Sequence, residues 1–147
     1  MGLIEAVGAG PVAVDTAPFV YFIEEHPRFG PAVEPLFTAI ADGELQAVTT
    51  GVTLLETLVV PLRRNDRRLA ARYEALLTRS RGLELIDLDR PLLRAAAEVR
   101  AATGIRSPDA LQIAGALRAR CTALVTNDRR LPANLGLEIV QLADFTG

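Results

Sequence analysis

Residues Ser107 to Asp128 read SPDALQIAGALRARCTALVTND. Pro108 to Arg118 carries small and apolar residues at helical spacing. Its opening is a helix start, with Ser107 as N-cap, Pro108 in the first turn and Asp109 at the positive end of the helix dipole. Ala110, Ala114, Gly115 and Ala116 are small enough to let this helix lie close against a sheet. Ala123 to Thr126 is a short apolar run ended by Asn127-Asp128, which reads as a buried strand leaving through a turn. A helix feeding a covered strand is the repeating unit of a parallel α/β sheet.

The alternation extends to both ends of the chain. Pro11 to Val14 is a buried strand ending at Asp15, and a helix from Thr16 to Glu25 follows with Phe19, Phe22 and Ile23 in phase. Pro31 to Asp42 is a second helix, with Leu36, Phe37 and Ile40 on one face and Gly43 as its stop. Leu45 to Thr49 is a strand. Val52 to Leu62 is helical, with Val52, Leu55, Val59 and Leu62 on one side and Thr53, Glu56 and Thr57 on a polar stripe. Asp66 to Arg79 is an arginine-rich helix facing inward with Leu69, Tyr73, Leu76 and Leu77. Leu83 to Leu88 is a third strand, Leu92 to Ala102 a helix stopped by Gly104, and Leu137 to Leu142 the fifth strand. The 147 residues contain no repeat and no low-complexity linker, so the expectation is one domain over 1–147, with 1–10 as a short N-terminal extension. Strands separated by helical crossovers imply an α/β fold of three layers: a mostly parallel sheet of about five strands with helices on both faces. Sites in such sheets lie beyond the carboxyl ends of the strands, which puts Asp15 and Asp128 on one edge.

Four acids stand out, each with an ordinary alternative. Asp15 between a strand and a helix is equally an N-cap. Glu56 has apolar neighbours along the chain, where a carboxylate needs a partner or a metal unless its stripe faces water. Asp109 is also a normal first-turn acid, and Asp128 a normal turn residue. Together they form the kind of carboxylate set that binds Mg²⁺ or Mn²⁺ with waters and substrate phosphates. Without a cation, several acids in one place repel one another.

Composition removes competing chemistries. All 16 basic residues are arginine. The absence of lysine excludes a Walker A phosphate loop, Schiff-base catalysis, and the phosphoaspartate receivers and haloacid-type phosphatases that use a lysine. The single histidine, His26, excludes a two-histidine ribonuclease and a histidine-rich zinc site. Gly8-Ala9-Gly10 precedes the first strand instead of following it, so it is not a dinucleotide fingerprint. The single cysteine, Cys121, cannot form an internal disulfide, and Met1 to Gly10 has no basic start, which together point to the cytoplasm and away from a membrane. The net charge of −2 gives no overall attraction to nucleic acid, although bound metal would reverse the local sign at an acidic site.

Ala13-Val14-Asp15-Thr16, Leu54-Leu55-Glu56-Thr57, Ser107-Pro108-Asp109-Ala110-Leu111-Gln112-Ile113-Ala114 and Leu124-Val125-Thr126-Asn127-Asp128 appear in this order. In these segments the chain resembles the PIN-domain ribonucleases, and among them the VapC-like toxins of toxin–antitoxin pairs, over Val12 to about Leu142. The resemblance implies that Asp15, Glu56, Asp109 and Asp128 carry Mg²⁺ or Mn²⁺, with Asp15 and Asp109 as direct ligands, for in-line hydrolysis of an RNA phosphodiester. It implies that Thr16, Thr126 and Asn127 shape the substrate pocket. It also implies a cognate antitoxin and a homodimer, to which Phe19, Tyr21 and Phe22 would contribute. Arg106, Arg129 and Arg130 adjoin the acids and are candidates for holding phosphate. Arg64, Arg68 and Arg72, at i, i+4 and i+8, are either a solvated face, an RNA track or a partner surface. The alternatives are a housekeeping PIN nuclease and an inactive PIN-like interaction module. Four intact acids speak against the module.

Overall fold

The computed structural model describes residues 1–146. The order of elements is α1 (Leu3–Val7), β1 (Val12–Val14), α2 (Thr16–Ile23), α3 (Phe29–Ala41), β2 (Ala47–Thr50), α4 (Gly51–Arg63), α5 (Arg67–Arg79), β3 (Leu83–Ile86), α6 (Arg90–Thr103), α7 (Ser107–Arg118), β4 (Ala123–Thr126), β5 (Glu138–Gln141) and a 3₁₀ turn at Leu142–Phe145. The strands lie in the order β3-β2-β1-β4-β5. All pairs are parallel, with Val12 opposite both Ala47 and Ala123, and Val14 opposite Val125. Every residue of β1, β2 and β4 is buried, as a sheet covered on both faces requires.

Alternation along the strands divides the core. Val12, Val14 and Val125 face Leu3, Val7, Phe19, Leu36 and Leu77, from α1, α2, α3 and α5. Ala13, Val48 and Leu124 face Leu92, Ala96, Ala110 and Ile113, from α6 and α7. The strand order reverses between β1 and β4, so the crevice at this switch point opens beyond their carboxyl ends. Asp15 and Asp128 leave the sheet there. Gly115 lets α7 descend onto β2: an added Cβ would stand 2.5 Å from Thr50 Cγ2.

Three local expectations are corrected. Ser107 is the first helical residue and makes no cap; Arg106 holds the cap position, while the Ser107 hydroxyl accepts from Arg100 Nη1. The orientation of α4 is inverted relative to its hydropathy. Of the expected inner face only Val52 is buried; Leu55, Val59 and Leu62 are exposed, and Thr53, Thr57 and Pro61 are buried. The threonines tolerate burial because their hydroxyls are bonded, Thr57 to the Leu54 carbonyl and Thr53 within the network described below. Finally, Arg64 caps α4 while Arg68 and Arg72 belong to α5, so the three do not share one continuous helical face.

Candidate active site

β1 delivers Asp15 to the crevice with its backbone N–H donating to the Val125 carbonyl at 3.0 Å. The side chain caps α2, as Oδ1 accepts from the Thr16 N–H at 2.8 Å. The capping reading and a site role are thus compatible. Oδ1 also accepts from Gln112 Nε2 at 3.3 Å, and Oδ2 accepts from Thr126 Oγ1 at 2.7 Å. Three donors from three elements therefore fix both oxygens. Thr126, the last residue of β4, accepts in turn from the Asp128 N–H at 3.1 Å, tying the two strand-end acids together.

Asp109 stands in the first turn of α7 with its side chain 15% exposed and Arg106 Nε 3.5 Å away. Burial raises its carboxyl above the usual range, Arg106 opposes this, and the negative charges of Asp128 and Asp15 add to the rise. These three acids therefore share one electrostatic field. Asp128 is held below the usual range by the guanidinium of Arg130, which contacts both carboxylate oxygens at 2.9 Å. Glu56, in the second turn of α4, is exposed, and its Oε1 accepts from Thr16 Oγ1 at 2.6 Å. It joins the group through Thr16.

Below the acids runs a buried polar layer that the motif reading missed. Gln112 accepts from Thr50 Oγ1 at 2.7 Å and donates through Nε2 to Thr53 Oγ1 at 2.8 Å and to Asp15. Because a carboxylate only accepts, the amide nitrogen must be the end facing Asp15. Thr49 Oγ1 donates to the Val14 carbonyl at 2.8 Å and lies 2.7 Å from Thr53 Oγ1. The signal was present as spacing. Gln112 follows Asp109 by three residues, hence on the same helical face, and Thr49, Thr50, Thr53 and Glu56 recur at turn intervals across the β2–α4 junction.

Two of the candidate residues face elsewhere. Asn127 donates through Nδ2 to the Tyr21 hydroxyl at 3.2 Å and accepts from the Ala143 N–H at 3.2 Å. Arg129 pairs with Asp144 at 2.6 Å. Both brace the C-terminal segment against α2 and β4.

The donor set suits a hard cation, because every candidate group offers oxygen. Among the described residues, no three or more His, Cys, Asp or Glu side chains gather closely enough to enclose an ion by themselves. Asp15 and Asp109 could hold Mg²⁺ or Mn²⁺, which need only one or two carboxylates when water completes the shell.

Comparison with known proteins places this geometry. No curated protein matches the sequence. Among solved structures, the chain is similar to the DNA-bound VapBC of Salmonella typhimurium, with TM-score 0.69 and 20% identity over 89% of this chain and 97% of that one. It is similar to VapBC2 of Rickettsia felis bound to a promoter DNA fragment, with TM-score 0.68 and 18% identity over 88% and 97%. It is also similar to VapC20 of Mycobacterium tuberculosis, a toxin that cleaves the sarcin-ricin loop, with TM-score 0.64 and 17% identity over 77% and 86%. At such identities the likeness establishes the fold. The family model of the PIN domain matches residues 12–134, from β1 past the Asp128 turn, and the chain belongs to the PIN-domain family.

Proposed function

We propose that this PIN domain is a metal-dependent endoribonuclease and the toxin of a toxin–antitoxin pair. The observation that carries the reading is Asp15, a carboxylate fixed by three donors at the switch point and sharing a field with Asp109 and Asp128. A helix cap alone needs one of those donors. Mg²⁺ or Mn²⁺ bound by Asp15 and Asp109 would supply a water of lowered pKa and charge stabilisation on the phosphate. Gln112 and Thr126 fix the two Asp15 oxygens in place. Thr16 aims Glu56 across the crevice, where it and Asp128 are positioned to orient a water or a second ion. Arg106 and Arg130 sit beside Asp109 and Asp128 and can turn their exposed guanidiniums to an entering phosphate. The similar solved structures described as toxin–antitoxin complexes or systems support an antitoxin partner and favour the toxin over a housekeeping nuclease. The reading includes a homodimer.

The test is cleavage of total RNA by the purified chain with Mg²⁺, Mn²⁺ or excess chelator. Cutting with metal and none with chelator is expected. Undiminished cutting in chelator would overturn the mechanism.

A further inference from the structure

We propose that Arg63, Arg64, Arg67 and Arg68, at the corner joining α4 to α5, form a phosphate-binding site for the RNA flanking the cleaved bond. The inference rests on the nuclease reading and extends it to a surface outside the acidic crevice.

Topology places the corner on the side of the site. β2 and β3 are parallel, so the path between them must return to the amino edge of the sheet. α5 packs on β3 and reaches it after three residues, 80–82, so α5 makes the descent. Thirteen helical residues span about 20 Å, and the four residues of β3 only about 13 Å. The start of α5 therefore stands beyond the carboxyl edge, where the acids are. α4 climbs to the same point from Thr50. Arg63 follows Glu56 by seven residues, which is two turns on the same face and about 10 Å along the axis.

Charge selects the ligand. The run Arg63-Arg64-Asn65-Asp66-Arg67-Arg68 is exposed throughout. Among the described residues, none of its four guanidiniums makes a salt bridge or a side-chain hydrogen bond. The Asp66 carboxylate is occupied in capping the Leu69 N–H at 3.1 Å. The arginines beside the crevice are committed instead, Arg106 to Asp109, Arg129 to Asp144 and Arg130 to Asp128. A polyanion threaded past Asp15, Asp109 and Asp128 is repelled on both sides of the reacting phosphate, and the corner supplies uncommitted cations, the first of them, Arg63, two helical turns from Glu56.

The placement also opposes stability. Arg67 and Arg68 occupy the first turn of α5, where the Asp66 cap is the one acid against two arginines, so they meet the positive end of the dipole and each other. A bound anion relieves both repulsions. The corner is preformed, with Asn65 at φ 56° and Arg64, Asn65 and Asp66 donating their N–H groups to Val60, Leu62 and Pro61 at 2.8 to 3.1 Å. Guanidinium forks on a fixed turn match phosphate oxygens.

The experiment measures fluorescence anisotropy of a labelled single-stranded oligoribonucleotide, with Ca²⁺ replacing Mg²⁺ and the oligonucleotide checked intact by gel. The parent is compared with R63A/R64A/R67A/R68A and with the four arginine-to-lysine changes, across a salt series. The alanine variant should bind roughly tenfold or more weakly, and its salt slope should flatten by about 0.7 for each phosphate it no longer neutralises. The lysine variant should keep most of the slope. Removing Arg67 and Arg68 should leave Tm equal or higher, which separates weakened RNA binding from failure to fold. A parent that binds RNA and an alanine variant with the same affinity and slope would overturn the site while leaving the nuclease reading intact. So would unchanged RNA binding together with loss of a protein partner. If the parent neither binds nor cuts RNA, the nuclease reading fails and this inference fails with it.

Discussion

At the scale of single residues, Gln112 shows how a position with no acid can govern an acidic site. Its amide joins Thr50, Thr53 and Asp15, and it is 5% exposed. Gln112→Leu removes the acceptor of the buried Thr50 hydroxyl and one of the two donors on Asp15 Oδ1, at a cost of about 1–3 kcal/mol. It should also weaken Mn²⁺ binding by about 10–100-fold, read by calorimetric titration. An unchanged metal affinity in a folded variant would leave Gln112 with a packing role only. Asp109→Asn separates two readings by sign. As a plain first-turn acid, Asp109 contributes about 0.3–1 kcal/mol, and the change lowers metal-free stability. As one of several crowded carboxylates, its neutralisation relieves repulsion, so the metal-free variant should melt at the parent's temperature or above, bind Mn²⁺ poorly and lose most cleavage. A variant that melts lower, keeps the full metal-induced Tm shift and still cuts RNA removes Asp109 from the site. Asp109 could be picked out in the sequence because an acid after Ser-Pro is a motif. Gln112 could not, because a glutamine in an apolar helix gives no sign of its partners until β2 is laid beneath it.

At the scale of elements, α7 carries both Asp109 and Gln112, so its distance from the sheet sets the site. Gly115→Val would push side-chain atoms into Thr50, costing about 1–3 kcal/mol by overpacking. It should reduce cleavage beyond what the stability loss explains, since Thr50 is also the partner of Gln112. Activity unchanged at full folding would show that the close approach is not needed. The α6–α7 pair has its own titratable tie, in which Asp89, the N-cap of α6, receives both Arg118 Nη atoms at 2.7 and 2.8 Å. Arg118 holds the Asp89 carboxyl down at about 2, below its ordinary value. A depressed carboxyl adds stability above its unfolded pKa of about 3.9 and loses it as pH falls toward 2. Asp89→Asn keeps a capping side chain and loses the charge, so its denaturation midpoint should fall slightly below the parent's at neutral pH and converge with it between pH 4 and 2. A gap that persists unchanged at low pH would sink this assignment. The inversion of α4 belongs to this scale too. Hydropathy puts leucines inside, but a helix starting at Thr50 must place Thr53 over Thr49 and Gln112, and the leucines take what remains.

At the scale of the molecule, metal should act as a ligand of the folded state. Mn²⁺ should raise the Tm of the parent in proportion to the logarithm of its concentration, and chelator should reverse the shift. No shift at millimolar Mn²⁺ would remove the ion from the proposal. The homodimer loses one of its motives. Phe19 is buried, Phe22 stacks on Phe37 at 4.3 Å, and Tyr21 stacks on Phe29 at 4.8 Å, so the aromatics are consumed within one protomer. Light scattering at micromolar concentration decides the matter, and a monomer alone would remove the dimer. The sequence by itself determined the alternation of strands and helices, the parallel sheet and the acids at strand ends, because periodicity and turn chemistry are local properties. Tertiary structure alone decided that β1 and β4 lie side by side, which brings Asp15 to Thr126 and within the field of Asp109. It alone decided that α4 turns its threonines inward and that an arginine-rich corner rises beyond the same edge. These depend on strand order and on which helix face meets a neighbour. Such pairings join residues as far apart as Asp15 and Thr126, and no local pattern along the chain encodes them.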